Sequence, residues 1–163
     1  MARGDIEVKK ADTIFNELDQ LHQAISRRAY DLFRNGGTLW GGAFGDWLTA
    51  ERELISKPAV ELRQKDSQFE VLAALPGIEA KDLDVQITPD DVLIKAEMSH
   101  EHAADRGTVH VCEFEAGKIF RSIHFPEKVD PDSAKAEYRN GMLRLTAAIA
   151  KAATAQKVDV KAA

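Results

Sequence analysis

Cysteine is nearly absent from this chain: Cys112 is the single one among 163 residues. One thiol cannot form an intramolecular disulfide, so the cross-links typical of small secreted domains are missing. The first ten residues are charged and lack the apolar core of a signal peptide. These absences predict a protein of the reducing cytoplasm.

Long apolar runs and an excess of positive charge are also missing. No stretch approaches the roughly 18 apolar residues of a membrane-spanning helix. The formal net charge is -5, whereas general nucleic-acid binding needs clustered Lys and Arg against phosphates. The composition, 44% hydrophobic and 30% charged, is typical of a soluble globular protein. We therefore expect a soluble protein without a nucleic-acid partner.

Signatures of catalysis are absent too. The glycine-rich stretch at residues 36–45 lacks the Lys-Ser/Thr of a phosphate-binding loop and follows no predicted strand. No Gly-x-Ser-x-Gly nucleophile elbow occurs. The acidic pair Asp90-Asp91 follows Pro89, where a solvated turn is the ordinary explanation. We predict that the protein is not an enzyme and uses no cofactor.

One group of potential metal ligands needs a separate assessment: His100, Glu101, His102, His110 and Cys112. Zinc favours such side chains. They lack the paired spacing of known zinc motifs, so a solvated loop followed by a strand is the favoured interpretation. We therefore predict no metal site.

The first zone, residues 1–57, carries a helical pattern. Asp12 or Thr13 is a plausible N-cap, and Gly36-Gly37 is expected to end the helix. A second short helix is predicted at residues 46–54, capped by Asp46. Apolar residues recur at three-, four- and seven-residue steps: Ile14, Leu18, Leu21, Ile25, Leu32 and Phe33.

Two interpretations of this apolar stripe remain open. It is either an ordinary helix packed on its own core or an adhesive arm used for assembly and for binding other proteins. The second is favoured because the zone offers few partners for its large apolar side chains. Arginines beside the apolar face make membrane contact a secondary possibility. The residues assigned to this arm are Phe15, Leu18, Leu21, Ile25, Phe33, Trp40, Phe44 and Trp47.

The second zone, residues 58–147, changes to an alternating pattern with a period of two. Turn-forming residues separate the segments, and Asn140-Gly141 is the strongest hairpin signal in the chain. Short alternating strands at such spacing predict an antiparallel β-sandwich. The predicted strands contain residues 60–63, 69–74, 84–88, 92–97, 109–112, 119–125 and 143–146.

The third zone, residues 148–163, is rich in alanine and lysine and is predicted to be a mobile tail. It contains Val158-Asp159-Val160. In an extended strand the two valines point the same way and could fill two neighbouring pockets.

Two segments of the second zone resemble a known family. Residues 69–83, FEVLAALPGIEAKDL, resemble the ALPGxxxxDL segment of the small heat-shock proteins. Residues 117–143, GKIFRSIHFPEKVDPDSAKAEYRNGML, are similar to that family's GxFxRxxxLPxxVDxxxxxAxxxNGVL signature. Met142 departs from the usual valine, and the Pro-Lys expected after the last strand is absent. The resemblance covers about residues 58–146.

The resemblance implies an all-β fold, an immunoglobulin-like antiparallel sandwich called the α-crystallin domain, with a helical N-terminal arm and a flexible C-terminal tail. It also implies dimerisation. In bacterial members, a strand from the long loop swaps into the partner's sheet; here that strand would contain Val109 and Val111. Arg121 falls on the family's arginine at the dimer interface, with a solvent-facing strand arginine as the alternative.

The resemblance further implies a role for the tail. Family members dock an Ile/Val-x-Ile/Val motif in a groove between the fourth and the last strand of a neighbouring dimer. Val158 and Val160 occupy the position of that motif. The groove would be lined by Val85, Ile87, Leu143 and Leu145. Valine is smaller than isoleucine by one methylene, worth about 0.8 kcal/mol of burial or less, so docking would be weaker.

The function implied by the resemblance is that of an ATP-independent holdase chaperone. Its partners would be itself, as a homodimer that assembles further, and partly unfolded client proteins. The alternative is a co-chaperone or adaptor built on a similar sandwich, which would lack the long loop and the tail motif.

Overall fold

The computed structural model describes residues 4–36, 42–100, 102, 107–113 and 117–151. Two five-stranded sheets form a sandwich, and two α-helices lie between its second and third strands in the chain. The predicted all-β sandwich with a helical N-terminal arm is confirmed. The elements are β1 (Gly4–Ile6), β2 (Val8–Lys10), α1 (Phe15–Arg34), α2 (Gly42–Leu54), β3 (Ile55–Ser56), β4 (Val60–Lys65), β5 (Gln68–Ala74), β6 (Leu83–Ile87), β7 (Asp91–Met98), β8 (Gly117–His124), β9 (Lys135–Arg139) and β10 (Met142–Ala148).

The strand order differs from the sequence order. The first sheet runs β1-β9-β10-β5-β4, and the second runs β2-β6-β7-β8-β3. The pairs are antiparallel except β2 with β6 and β3 with β8, which are parallel. Both parallel pairs involve short strands from the first 57 residues, so the N-terminal zone completes one edge of the first sheet and both edges of the second.

The alternating pattern works because every second side chain enters one core between the sheets. In β5, Phe69, Val71 and Ala73 are buried, whereas the residues that alternate with them are half-buried or exposed. In β10, Leu143 and Leu145 are fully buried. The ring centroids of Phe69 and Phe125 lie 5.6 Å apart within this core.

Asn140-Gly141 forms the predicted hairpin turn between β9 and β10. Both residues have positive φ, 52° and 76°, as a two-residue type I′ turn requires. A Cβ on Gly141 would lie 3.2 Å from the Cα of Pro76. Its carbonyl accepts a 2.7 Å hydrogen bond from the amide of Leu75. This turn therefore also anchors the segment that follows β5.

The helices differ from the prediction at their N-termini. α1 begins after Ile14, and the Thr13 hydroxyl accepts a 3.1 Å hydrogen bond from the Phe15 amide. It ends where expected, with Gly36 at φ 110°. α2 starts at Gly42, so Asp46 lies inside the helix and is buried instead of capping it. The preference of Asp for a cap is a weak prior that tertiary packing overrides.

A second, smaller core joins the helices to the sandwich. Ile25 of α1, Ala50 of α2 and Ile55 of β3 are buried together, and Phe120 of β8 packs against them. The predicted helical arm is therefore attached to the outer side of β8. In the parts of the chain that the structure describes, neither helix is long and apolar enough to cross a membrane.

The buried hydroxyl of Tyr138 links β9 to the segment that follows β5. The oxygen lies 2.7 Å from the Leu75 carbonyl and 2.8 Å from the Ile78 carbonyl. Burial raises the pKa of this phenol. We expect Tyr138→Phe to lower the free energy of unfolding by about 1–2 kcal/mol, because a buried hydrogen bond is lost and both acceptors remain buried.

Urea unfolding monitored by fluorescence measures this loss. The matched control is Tyr30→Phe, since Tyr30 is 60% exposed and should change stability little. Equal stability of the Tyr138 variant and the wild type would contradict the role assigned to this hydroxyl.

Candidate interaction site at the sandwich edge

One short N-terminal segment supplies an end strand to each sheet. β1 pairs with β9, placing Gly4 opposite Tyr138 and Ile6 opposite Ala136. β2 pairs with β6, placing Val8 beside Val85. Only Glu7 separates the two strands. Residues 4–10, called the edge segment below, therefore cross from one sheet to the other and cover the opening between β6 and β9.

The edge segment binds through two side chains that face the core. Ile6 is 9% exposed and belongs to the main core, and Val8 is partly buried against it. Asp5 and Glu7, which alternate with them, are exposed. The amide of Ala11 extends the contact with a 2.9 Å hydrogen bond to the Ile87 carbonyl. The opening between β6 and β9 thus accepts a β-branched-x-β-branched segment in extended form.

The predicted groove needs a correction in its second wall. Val85 and Ile87 lie on β6 as expected, but Leu143 and Leu145 lie on β10, which pairs with β5 on one side and β9 on the other. The hairpin at Asn140 places β9 outside β10, so β9 is the strand that borders the opening. Ala136 and Tyr138 of β9 therefore take the positions assigned to the two leucines.

Ion pairs connect the edge segment, the second sheet and α1. The ammonium nitrogen of Lys9 lies 3.0 Å from Asp84 Oδ1. Lys95 on β7 lies 3.1 Å from Asp84 Oδ2 and 2.8 Å from Glu17 Oε1. Gln86 donates a 3.2 Å hydrogen bond to Asp84. The start of α1 and the edge segment are thus both fastened to the outer face of β6 and β7.

The pKa values of this cluster follow from the pairing. The hydrogen bond from Lys95 lowers the pKa of the Glu17 carboxyl. Burial alone would raise the pKa of Asp84, but the ammonium groups of Lys9 and Lys95 outweigh it and lower that pKa. Burial alone would lower the pKa of Lys95, but hydrogen bonds to Glu17 and Asp84 raise it. All three groups therefore favour their charged forms.

The residues assigned to the dimer interface are exposed or unsatisfied in the single chain. Val109 is 50% exposed and Val111 is 79% exposed, and neither belongs to a strand. Arg121 lies on β8 opposite Ile94 and is half-buried. Its Nε atom is buried and has no hydrogen-bond partner among the described residues.

The residues assigned to the adhesive arm divide into two groups. Leu21, Ile25 and Trp47 pack in the small core between the helices and β8, and Leu18 is half-buried. The other group is exposed: Phe15 (70%), Phe33 (62%) and Phe44 (70%). The stripe is thus packed in part and exposed in part, and the adhesive role of its exposed rings stays a prediction. Trp40, Val158 and Val160 lie outside the described residues.

Three of the potential metal ligands come together. The ligand atoms of His100, His102 and Cys112 all lie within 4.8 Å of one another, and the three side chains are exposed. The imidazole centroids of the two histidines are 4.9 Å apart. His110 does not join this cluster, and Glu101 lies outside the described residues.

Comparison with known proteins identifies the family. The model of the Hsp20/alpha crystallin family matches residues 61–161, which include β5 to β10 and all of β4 except Val60. The chain belongs to the Hsp20/alpha crystallin family. The prediction of small heat-shock membership from the two sequence segments is therefore confirmed, and members of this family are generally oligomeric chaperones and are not known as enzymes.

Relatives and solved structures agree with this Hsp20 assignment. The probable 15 kDa heat shock protein of Leptospira interrogans is 33% identical over 111 residues, covering 68% of this chain and 83% of the relative. The spore protein SP21 of Stigmatella aurantiaca is 30% identical over 116 residues, which cover 64% of this chain and 69% of the relative.

Among solved structures, heat shock protein 16.0 of Schizosaccharomyces pombe matches with a TM-score of 0.55 and 25% identity, over 65% of this chain and 99% of that one. A small heat-shock protein of Xylella fastidiosa matches with a TM-score of 0.52 and 27% identity, and the match covers 64% of this chain and 96% of that one.

Sequence reasoning missed the edge segment altogether. Its signal is the spacing of Ile6-Glu7-Val8, which repeats the β-branched, acidic, β-branched order of Val158-Asp159-Val160. The charged neighbours of Ile6 and Val8 concealed this spacing, because alternation over three residues is too short to indicate a strand.

The Lys95 cluster generates a prediction with a defined pH dependence. We expect Lys95→Met to lower the free energy of unfolding by about 1 kcal/mol at neutral pH, a value between those of exposed and buried pairs. A carboxyl with a lowered folded-state pKa contributes stability above its unfolded pKa, about 4, and loses it as pH falls through the folded value. The deficit of Lys95→Met should therefore shrink towards pH 3.

Urea unfolding at pH 7 and pH 3 measures both deficits. Lys128→Met is the matched control, because Lys128 lies 3.6 Å from Asp90 with both side chains well exposed and should change stability little at either pH. If Lys95→Met lowers the free energy of unfolding by the same amount at pH 3 and pH 7, the ion pairs are not the cause of the loss.

Proposed function

We propose that this protein is an ATP-independent holdase chaperone, which binds partly unfolded client proteins and prevents their aggregation. The observation that carries the proposal is the opening between β6 and β9, which holds an extended segment through backbone pairing and two apolar side chains. Unfolding proteins expose extended apolar segments of this kind. A sheet edge that accepts one such segment can accept another by strand addition.

The outer face of the helical arm supplies a second surface for clients. Phe15, Phe33 and Phe44 are exposed and are joined by Tyr30, 60% exposed, and Leu48, 40% exposed. Several large aromatic side chains on one small substructure are typical of interaction sites. The inner face of the arm is held against β8, so the exposed rings are presented on an attached support and not on a free helix.

A cleft between the arm and the sandwich extends this surface. Its volume is about 900 Å³, and its lining combines apolar side chains from both bodies, among them Leu21, Leu54, Met98 and Phe120, with the charged groups of Glu17 and Lys95. A cleft with apolar walls and a charged rim suits segments of mixed composition. We propose that clients bind at this cleft and on the exposed rings of the arm, in addition to the opening between β6 and β9.

The dimer is the building block of the proposed assembly. Arg121 Nε is buried without a partner among the described residues, and a buried donor of a charged group costs free energy unless it is paired. We infer that a carboxylate of a second copy completes this pair, and that Val109 and Val111 enter the partner's sheet. The tails, through Val158 and Val160, then link dimers at the opening between β6 and β9.

The cytoplasm is the proposed location. Membrane contact by the arm stays secondary, because Arg28, one of the arginines beside the apolar stripe, is paired with Glu53 at 2.6 Å within the chain. That pair reduces the positive charge available for anionic lipids.

The arm prediction concerns client protection without ATP. We expect the triple variant Phe15→Ser/Phe33→Ser/Phe44→Ser to need several times more chaperone to suppress light scattering by a heat-aggregating client, because the exposed rings are removed. The folded state should be retained, since exposed positions contribute little to stability.

The control for this experiment is Met142→Ser, which removes an exposed apolar side chain, 43% exposed, from the sandwich. Full protection by the triple variant would remove the arm from client binding. Absence of protection by the wild-type chain, with ATP omitted, would contradict the holdase function and favour an adaptor.

The dimer prediction concerns Arg121. We expect Arg121→Gly to give swollen or aggregating particles, because the partner's carboxylate is left buried and unpaired at a cost of about 3–5 kcal/mol. Light scattering after size exclusion measures the particle mass. Arg144→Gly is the control, since Arg144 is 59% exposed and pairs within the chain with Glu70 at 2.8 Å. An unchanged mass and solubility for Arg121→Gly would contradict the interface role.

A further inference from the structure

Two segments of this chain have the same order of side chains, and one opening suits both. Ile6-Glu7-Val8 occupies the opening between β6 and β9, and Val158-Asp159-Val160 is the segment proposed to link dimers there. We propose that the edge segment, residues 4–10, is an internal competitor of the tail. It must leave before the tail of a neighbouring copy can dock. The inference rests on the tail docking in the proposed function.

The competition follows from backbone geometry. Each backbone amide and carbonyl at a strand edge pairs with one neighbouring strand. β9 uses its outer edge for β1 over three residue pairs, and β6 uses its outer edge for β2 over three more. An incoming strand on either side therefore requires these pairs to break. Ile6, 9% exposed, also fills the space that a docking valine needs.

The attachment is suited to reversible release. β1 and β2 have three residues each, and short strands at an edge open locally far more often than the whole domain unfolds. The ion pairs that fasten them, Lys9 with Asp84 and Lys10 with Asp132, are largely exposed on the lysine side, so each contributes little. The core below the segment keeps its own strand pairing when the segment leaves.

The balance between the two occupants depends on protein concentration. The edge segment is joined to the sandwich it covers through Ala11 and the start of α1, so its binding is intramolecular and independent of concentration. The tail of another dimer arrives by association. Dilute protein should therefore favour the edge segment and small species, whereas concentrated protein should favour tails and larger assemblies.

Weakening the edge segment gives the first test. In Ile6→Ser/Val8→Ser the two inward side chains are lost, whereas in the control Asp5→Ser/Glu7→Ser the two exposed side chains of the same segment change. A fluorescent peptide with the sequence of residues 152–163 is titrated with each full-length protein, and anisotropy reports binding. We expect about tenfold tighter binding by the first variant and no change for the control.

A covalent lock gives the second test and keeps the inward side chains intact. Asp5 and Glu137 lie directly opposite each other in the antiparallel pair of β1 and β9, and both are exposed. Opposite residues in such a pair are close enough for a disulfide. The variant Asp5→Cys/Glu137→Cys carries Cys112→Ser as well, so that one disulfide is possible. Oxidised, it should bind the peptide at least tenfold more weakly than when reduced.

The outcomes separate this inference from the proposed function. Tight peptide binding by the oxidised lock, or unchanged binding by Ile6→Ser/Val8→Ser, overturns the competition while leaving tail docking in place. Peptide binding to none of the proteins overturns tail docking itself, and the competition with it. Light scattering over a range of concentrations should show larger particles for Ile6→Ser/Val8→Ser at dilutions where the oxidised lock stays small.

The cluster of His100, His102 and Cys112 carries a second, independent inference. Two imidazoles and a thiolate are ligands that Zn²⁺ favours, and a water completes a tetrahedral set. Ligand atoms around tetrahedral zinc are about 3.3–3.8 Å apart, given bond lengths of about 2.0–2.3 Å. The three atoms here lie within 4.8 Å, so small rotations of exposed side chains bring them into range. We propose that these residues bind a Zn²⁺ ion and thereby hold the two ends of the loop together.

Cobalt(II) is the probe for this site, because its visible absorption reports tetrahedral geometry and its near-ultraviolet band reports thiolate ligation. We expect one Co²⁺ per chain with both bands, displaced by Zn²⁺. Cys112→Ser should lose the thiolate band, and His100→Ala should weaken binding at least tenfold. The control His110→Ala should bind normally, since His110 lies outside the cluster. Absorption without a thiolate band in the wild type would overturn the site.

Discussion

Backbone pairing at the outer edges of β6 and β9 is the constraint on which the rest of this structure depends. A sandwich of two sheets leaves strand edges whose amides and carbonyls need partners, and an open hydrophobic edge invites association with other chains. Here the edge segment pairs with the outer edges of both β6 and β9. The small strand β3 closes the far end of the second sheet against β8. The N-terminal zone is thus part of the sandwich as well as an arm beside it.

This arrangement explains how the N-terminal zone can pack against the sandwich and still expose large aromatic side chains. α1 is fixed at its start by Glu17 on Lys95, and further along by Ile25 in the core shared with α2 and β3. The same helices turn three phenylalanines to the solvent. The core beneath the arm, against which Phe120 packs, therefore supports helices that also carry exposed rings. The same helices thus contribute buried side chains to the small core and exposed aromatic side chains to the surface.

The sandwich was predictable from the sequence because its signals are local. Alternation in β5 and β10, and the positive φ that Asn140-Gly141 tolerates, specify strands and a hairpin without knowledge of the partners. The groove was only half predictable: β6 was identified, but β10 was taken for the bordering strand in place of β9. Sheet order depends on long-range pairing, which alternation within a strand does not reveal.

The edge segment, and which of the five potential metal ligands come together, were not predictable for related reasons. β1 and β2 exist because β9 and β6 offer unpaired edges; their own three residues have too little strand preference to indicate a strand alone. Asp46 was assigned to a cap from local preference, while packing of α2 extended the helix beyond it. His100 and His102 are separated from Cys112 in sequence, so their close approach is a long-range feature that local patterns do not reveal.

Hydrogen exchange at the two edges tests the account most directly. The full-length protein and a variant truncated before Val158 are compared at high dilution, with exchange read at the amides of residues 5–11, 83–87 and 135–139. The account predicts slow exchange at the outer edges of β6 and β9 in both proteins, with matching protection of the edge segment, because that segment and not the tail covers them. Fast exchange at β6 and β9 in the truncated variant would contradict it.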